Sequence, residues 1–280
     1  MSAELLGPAL LILLSSGVFI AHGHLTVVPE ATPQCVFAGG QRKITVKLRN
    51  DNERIVETEV LLRLHQTSST TTARIGDFPW KKIQVLSGQT ILESAQLDFP
   101  EAKAETHYLV QWLESTNRVL GATEVLVYPQ DLLVGLKPLV RDEALGVFDP
   151  HNQLKPLLNR VAVEFTDLED AGVENFRGRL AIFGPFKSKA QMRERLAEQV
   201  EALAAKGVAV VWIQPPPEPH DKLQPSFYTV TVGKGAVVIV QSELVANLPE
   251  RPQSQLNLIH CARLAMYPEP VRLPHLTPQP

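Results

Sequence analysis

The hydrophobic pattern divides the chain into two parts that have different periods. From about residue 25 to residue 129, apolar residues alternate with polar ones, as in strands with one face in a core and the other in water. Three clear runs are Ile44 to Leu48, Val56 to Leu64 and Tyr108 to Trp112. Turn residues separate the runs and no helical period intervenes, so we predict an antiparallel β-sandwich of six or seven short strands.

From about residue 130 onward, strands alternate with helices. The clearest unit has two strands, Leu180–Phe183 and Val208–Ile213, which are apolar without alternation, as expected of strands covered on both faces. The residues between them that recur at helical spacing are Met192, Leu196, Val200 and Leu203. We therefore predict a strand, helix and strand unit with two parallel strands.

The sequence also predicts where this helix begins and ends. Ser188 and Gln191 have the spacing of a capping box, in which two side chains bond the unpaired backbone donors of the first turn. Gly207 is suited to the left-handed residue that commonly ends a helix.

The remaining elements of the second part complete an open, mainly parallel sheet with helices on both faces. They are predicted as strands at Ala144–Phe148 and Val161–Phe165, a brief helix with Leu154, Leu157 and Leu158, a hairpin of Tyr228–Val232 and Ala236–Val240, and a closing helix from Leu256 to Ala265.

This element order carries a family resemblance. A strand ending in Phe183-Gly184-Pro185, a long helix, an apolar strand, a hairpin at Gly233-Lys234-Gly235 and a closing helix resemble the class I glutamine amidotransferase-like domain, which has a flavodoxin-like fold. The first part resembles the immunoglobulin-like modules common in exported proteins, without their paired cysteines. The resemblance implies a multidomain chain: an all-β immunoglobulin-like sandwich followed by an α/β amidotransferase-like open sheet.

Active members of that family place a nucleophilic Cys, flanked by glycines, on a sharp turn after the strand that follows the long helix. Here the position reads Ile213-Gln214-Pro215-Pro216-Pro217, without Cys, Ser or Gly. Proline cannot adopt the positive φ of such a turn. The resemblance therefore implies a scaffold that has lost the family chemistry, and a binding or assembly protein rather than an enzyme.

A ligand in an open α/β sheet sits beyond the carboxyl ends of the strands. The groups placed there are Asp149, His151, Gly184, Pro185 and Gln214. Asp149 beside His151 could polarise a water, as a hydrolase of polysaccharides or esters requires. An Asp-Pro-His turn more often simply begins a helix. Gly184, Pro185 and Gln214 are three of the candidate ligand-binding residues, and Trp80 is the fourth.

Two tryptophans of the first part suggest a carbohydrate site, because an exposed indole offers a flat apolar face to a sugar ring. Trp112 lies in an alternating run and is expected in the core. Trp80 lies in a turn-rich stretch, where it either binds a sugar or covers a sheet edge.

The amino terminus has the pattern of a secretory signal. Residues 5–21 are almost uninterruptedly apolar and are followed by Ala21-His22-Gly23, with small residues where a signal peptidase reads. The basic residues expected before the apolar run are missing, so a retained membrane anchor is the alternative. We expect a periplasmic or secreted protein, or one anchored through residues 5–21.

Cleavage after Gly23 would leave His24 first. An amino-terminal His can bind copper when a second His, such as His65 or His107, is close, as at the start of the copper-dependent polysaccharide monooxygenases. Nothing further along the chain resembles that family, so His24 is a weak metal candidate.

Composition and short motifs exclude several classes of function. The 280 residues are 44% hydrophobic and carry a net charge of -3, which leaves no basic excess to neutralise nucleic acid. Cys35 and Cys261 are too few for a disulfide framework and are expected to be separate thiols. No glycine-rich phosphate loop, paired-cysteine motif or HExxH sequence occurs, so no cofactor is predicted.

The predicted organisation has four segments: a signal or anchor at 1–23, the sandwich at 24–129, the α/β domain at 130–267 and a proline-rich tail at 268–280. The partner expected for it is another protein or a glycan of the cell envelope, with a membrane involved only if residues 1–23 are retained.

Overall fold

The computed structural model describes residues 25–192, 194–215 and 227–268. The predicted leader, His24 and the tail from residue 269 lie outside the described residues. None of the helices within the described ranges is long and apolar enough to cross a membrane.

The first part of the chain is built from strands that form two sheets. A three-stranded sheet has the order β1-β3-β6, and a five-stranded sheet has the order β2-β8-β7-β4-β5. The strands are β1 Leu25–Val27, β2 Gln34–Phe37, β3 Gly40–Asn50, β4 Val56–Thr67, β5 Thr72–Val85, β6 Thr90–Phe99, β7 Thr106–Glu114 and β8 Val119–Tyr128.

The two sheets share one hydrophobic core. Ile44 of β3 and Leu97 of β6 belong to the same buried cluster as Leu64 of β4 and Trp112 of β7. Trp112 has no exposed surface, and its Nε1 donates to Thr123 Oγ1 at 2.9 Å. The alternating runs therefore pack as predicted, with their apolar faces towards each other.

One long strand of this part was not predicted. The stretch around Trp80 reads as turn-rich in the sequence, but β5 continues through it for 14 residues. Its pairing with β4 shifts register between Val60 and Leu61, which leaves Trp80 as the extra residue of a bulge. The prediction was wrong because Gly76 and Pro79, which usually mark turns, are accommodated on an edge strand.

The second part is a six-stranded sheet with helices. The order is β10-β9-β11-β12-β14-β13, parallel throughout except for β13, which is antiparallel to β14. The strands are β9 Leu145–Phe148, β10 Phe165–Asp167, β11 Leu180–Phe183, β12 Ala209–Gln214, β13 Phe227–Val232 and β14 Gly235–Gln241. The α-helices are α1 Lys137–Val140, α2 Lys155–Arg160, α3 Leu168–Ala171, α4 Glu194–Ala205 and α5 Pro252–Met266.

Short 3-10 segments link these elements. They are Leu132–Leu136, Val173–Asn175, Lys189–Gln191 and Ser242–Val245.

Helices cover both faces of the central strands. Along β12, Val211 belongs to the core cluster that contains Leu258 of α5, whereas Trp212 belongs to the cluster that contains Leu203 of α4. The prediction of parallel strands buried on both faces is confirmed for β11 and β12.

The second predicted strand of this part is displaced. Val161 to Val163 continue the end of α2, since Ala162 N donates to Asn159 O and Val163 N to Leu158 O. The strand pairs only from Phe165 to Asp167. The apolar residue Val163 is buried in the core from a turn, which is why its pattern resembled a strand.

The predicted capping box is also wrong. Ser188 makes no side-chain cap bond, and it precedes a 3-10 turn rather than the α-helix, which begins at Glu194. Gln191 Oε1 accepts the backbone N–H of Lys187 at 2.8 Å instead. The end of the helix agrees with the prediction, because Gly207 has a φ of 101° just after α4.

The two parts touch near the joint between them. Gln130 Nε2 donates to Ala38 O at 2.9 Å, and Cys35 Sγ lies 3.8 Å from Gln253 Oε1 of α5. Cys35 and Cys261 are both free thiols, as predicted.

Candidate functional site

The carboxyl ends of β9, β11 and β12 meet at one edge of the six-stranded sheet. Phe148 pairs with Phe183, and Phe183 pairs with Trp212, so the residues that follow these three lie side by side. A ligand of an open parallel sheet binds beyond this edge. The sequence places Asp149, Gly184 and Gln214 there.

Asp149 is buried, with 2% of its surface exposed, and it caps a helix. Its Oδ2 accepts the backbone N–H of Leu154 at 2.6 Å and that of Lys155 at 3.1 Å, at the start of α2. These donors have no partner within the helix, so the carboxylate satisfies them. Oδ1 is buried without a hydrogen-bond partner among the described residues.

His151 is hydrogen-bonded to the side-chain amide of Gln191 and not to Asp149. Its Nε2 lies 2.9 Å from Gln191 Oε1, an oxygen that also accepts the N–H of Lys187. Because an amide oxygen can only accept, His151 Nε2 must carry the proton and donate it to Gln191 Oε1. The two residues proposed as a catalytic pair are thus engaged separately, one by backbone and the other by a side-chain amide.

A lysine holds two carboxylates beside Asp149. Lys155 Nζ lies 2.6 Å from Asp167 Oδ2 and 2.5 Å from Glu169 Oε2, and Glu169 Oε2 also accepts the backbone N–H of Asp149 at 3.0 Å. This network ties the first turn of α2 to the end of β10.

The network shifts the pKa of both partners. Burial alone would lower the pKa of Lys155, but hydrogen bonds to Asp167 and Glu169 raise it overall. Burial would raise the pKa of Asp167, but the hydrogen bond from Lys155 and the backbone N–H groups of Glu169 and Asp170 lower it overall. The charged forms of both groups are therefore favoured in the folded chain.

Gly184 and Pro185 are both buried and so offer little surface to a ligand. Their peptide bond is cis, and Gly184 N donates to Phe148 O at 2.8 Å. Gly184 has a φ of 98°, and a Cβ there would lie 2.7 Å from Ile213 O. The glycine therefore allows β11 and β12 to approach at their ends.

Gln214 is half-buried at the end of β12, and Pro215 after it is buried. Neither residue has a nucleophilic side chain. Pro216 and Pro217 lie outside the described residues.

A cleft of about 650 Å³ opens beside this edge, between the end of β9 and the first turns of α4. Its apolar surface comes from Phe148, Leu168, Val173 and Leu196. Its polar groups are Glu169, Glu174, Gln191, Arg195 and Gln199.

Among the polar groups of the cleft, the sequence analysis singled out Gln191 alone, and only as part of a capping box. Arg195 and Gln199 are spaced by four residues on α4, so they lie on one side of the helix beside the apolar stripe that includes Leu196. Gln199 Nε2 donates to Glu174 Oε2 at 3.1 Å. The spacing by four was the signal in the sequence that could have identified this face.

Trp80 is half-buried and not an open platform. Its ring meets Trp112 edge to face at 5.0 Å between centroids, and Lys81 Nζ lies 4.9 Å from its centroid. The structure thus places Trp80 against the sandwich core, at a distance in sequence and fold from the cleft.

The weak metal candidate His24 lies outside the described residues. His65 Nε2 lies 3.2 Å from Gln111 Oε1, and His107 Nε2 lies 3.2 Å from Glu105 Oε1. Within the described ranges, no group of three or more His, Cys, Asp or Glu residues could hold a metal ion.

Comparison with known proteins does not assign the chain to a family. No family model and no curated protein matches the sequence. Solved structures match parts of the chain weakly. An alkylpurine DNA glycosylase, AlkC, of Pseudomonas fluorescens is 16% identical over 38% of this chain and 29% of its own, with a TM-score of 0.28.

Two further solved structures match the chain about as weakly. The sporulation control protein Spo0M of Bacillus subtilis is 12% identical over 42% of this chain and 56% of its own, with a TM-score of 0.29. A β-glucosidase of Listeria innocua is 12% identical over 38% of this chain and 16% of its own, with a TM-score of 0.28. The chain thus spans less than two thirds of each, and at these TM-scores none bears on its function.

Proposed function

We propose that this chain is an exported, bacterial-type, non-catalytic binding or assembly protein. In this proposal the first part is an immunoglobulin-like sandwich, and the second is a flavodoxin-like, amidotransferase-like domain that has lost its nucleophile. The observation that carries the proposal is the use of Asp149 Oδ2 as a cap for α2, away from His151. A carboxylate committed to two backbone donors is a poor general base.

The ligand that the cleft suits best is a glycan segment of the cell envelope. Amide, carboxylate and guanidinium groups at Gln199, Glu174 and Arg195 can bond several hydroxyl groups, and the half-buried ring of Phe148 offers an apolar face to a sugar. A volume of about 650 Å³ is within the range of roughly 300–1,000 Å³ for small-ligand sites.

The experiment that tests this proposal is calorimetric titration with chito-oligosaccharides and with cellulose-type oligosaccharides. We expect binding by the unchanged chain, and at least tenfold weaker binding by the variants Arg195→Ala and Gln199→Ala. Gln84→Ala, an exposed amide on β5, is the matched control and should bind as the unchanged chain does. No binding to either series, or equal binding by all variants, would contradict the glycan proposal.

Export has its own test. Fractionation of cells and amino-terminal sequencing of the mature protein should find the chain outside the cytoplasm and beginning at His24. A membrane-bound chain that still begins at Met1 would favour the anchor alternative.

A hydrolase of polysaccharides or esters, with Asp149 and His151 beside a water, is the second candidate. The buried and unpartnered Oδ1 of Asp149 favours it, because such an atom can accept a proton from water. Hydrolysis of these substrates by the unchanged chain, lost in a folded His151→Ala variant, would establish the hydrolase and refute the binding proposal.

A further inference from the structure

The edge strand β13 has the residue composition of a strand that is paired on both sides. Within the described part of the chain it pairs only with β14, and no strand lies beside its outer edge. The residues Phe227–Val232 read Phe-Tyr-Thr-Val-Thr-Val, without charge, proline or glycine. Its pairing with β14 runs over all six residues without a shift in register. Aromatic and β-branched residues are those that favour strand pairing.

Apolar side chains of β13 are exposed on both of its faces. Phe227 and Tyr228, which point to opposite faces, are each 39% exposed, and Val230 is 40% exposed. A regular edge strand with an open row of backbone N–H and C=O groups and apolar side chains is a template for another strand.

Three of the other sheet edges within the described ranges are protected against such pairing. The edge strand β5 contains Pro79 and two shifts of register. The edge strand β6 carries Glu93, whose carboxylate lies 2.6 Å from Lys81 Nζ of β5. The edge strand β1 has three residues. Natural sheets use these same devices, which are prolines, bulges, charges and short strands, to avoid association.

The opposite edge of the six-stranded sheet is a poor partner for β13. That edge is β10, which has three residues and ends at Asp167, whose side chain is held by Lys155. Head-to-tail stacking of sheets would need β13 of one copy to pair with β10 of the next. A symmetric contact, in which the same surface of two copies meets, closes after two copies and needs only β13.

We propose that β13 pairs antiparallel with the β13 of a second copy of this chain, about a two-fold axis, and joins the two six-stranded sheets. The absence of charge from Phe227 to Val232 means that no like charges oppose each other in this arrangement. The contact involves at most the six residues of β13 from each copy. It is small compared with the roughly 1,200–2,000 Å² of stable interfaces, so we expect weak association that depends on concentration.

The test is sedimentation velocity of the full chain from about 2 to 200 μM, a range chosen to reveal weak association. The unchanged chain should pass from monomer to dimer, and Val230→Lys should weaken association at least tenfold by placing two ammonium groups close together. Val230→Thr keeps a neutral β-branched residue and should dimerise nearly as the unchanged chain does. Ile75→Lys, at an exposed position of β5, is a control for added charge and should leave dimerisation unaltered.

Three results would overturn the proposal. The first is a full chain that is monomeric at every concentration. The second is a dimer that Val230→Lys and Val230→Thr form equally well. In the third, the full chain stays monomeric while a chain ending at Pro268 dimerises, which would assign the β13 edge to the chain's own carboxy-terminal segment.

Discussion

At the scale of single residues, the clearest contribution is that of Asp149, whose Oδ2 accepts two backbone N–H groups at the start of α2. Asp149→Ala removes the acceptor of two backbone N–H groups and should lower the free energy of unfolding by about 2 kcal/mol. Asp149→Asn keeps one oxygen and should cost clearly less. Urea unfolding of the three proteins measures both differences.

The same variants also test the binding proposal and the role of Asp149 as a cap. Asp149→Asn should leave binding of any glycan ligand within about twofold of the unchanged chain, because the cap is kept. Equal destabilisation by Asn and Ala would show that the cap is not the main contribution of Asp149.

At this scale the sequence offered two interpretations of Asp149 and favoured the start of a helix over a catalytic pair. An Asp-Pro-His turn is found more often at a helix start than in a catalytic pair, and the bonds from Leu154 N to Asp149 and between His151 and Gln191 agree with the helix start. Trp112 was predicted correctly as a core residue because the alternation along its strand is long and regular.

At the scale of elements, the approach of β11 to β12 depends on Gly184. Gly184→Ala would place a Cβ 2.7 Å from Ile213 O at a φ of 98°. We expect a loss of about 2–4 kcal/mol, from strain at positive φ together with the clash against backbone. Thermal or urea unfolding measures it.

Gly88→Ala is the matched control for Gly184→Ala. Gly88 also has a positive φ, 67°, but a Cβ there meets nothing within 4 Å. Its cost should be limited to backbone strain, about 1 kcal/mol. Equal losses in the two variants would show that the contact with β12 contributes nothing.

The ion-pair network between α2 and β10 should give stability that depends on pH. Lys155→Met leaves Asp167 and Glu169 without their common cation and should lower the free energy of unfolding by about 1–3 kcal/mol near pH 7.

The sign of the pH dependence follows from the two pKa directions. The pKa of Asp167 is below its ordinary 3.8, so its contribution is present above that value and is lost as the pH falls through the folded-state pKa. The pKa of Lys155 is above 10.5, so its contribution is present below that value and is lost as the pH rises through the folded-state pKa. The difference from Lys155→Met should therefore be flat between about pH 4 and pH 10. A difference that changes steadily across that range would contradict this account.

Elements with strong periodicity were predictable, and those built from weak signals were not. The strands β11 and β12 and the helix α4 between them follow from uninterrupted apolar runs and a four-residue period. The strand β10 has three residues, and its true start was hidden because Val161 and Val163 pack from a turn. The cleft was missed because Arg195 and Gln199 of α4 resemble an ordinary solvent-facing helix surface.

At the scale of the whole molecule, the chain has separate hydrophobic cores joined by a modest contact. The sandwich core contains Trp80 and Trp112, whereas the cores on the two faces of the six-stranded sheet contain Trp212 and Cys261. The contact between the parts described above consists of bonds such as that from Gln130 to Ala38. Parts with their own cores and few shared contacts usually unfold in separate steps.

Thiol labelling can report on one of these steps. Burial raises the pKa of Cys261 to about 11, so in the native chain at pH 8 only about one molecule in a thousand carries the reactive thiolate. In a Cys35→Ser variant, labelling should be negligible without urea and should rise when the six-stranded sheet unfolds. Native labelling should also increase as the pH approaches 11, because the thiolate is then populated.

The matching variant, Cys261→Ser, leaves Cys35 at the contact between the two parts. Burial first, and the charge of Glu105 second, raise the pKa of Cys35, but its side chain is only half-buried. Cys35 should therefore become reactive at a lower urea concentration than Cys261, as soon as the contact with Gln253 opens. A single transition, shared by both thiols and by tryptophan fluorescence, would instead mean that the two parts fold as one cooperative unit.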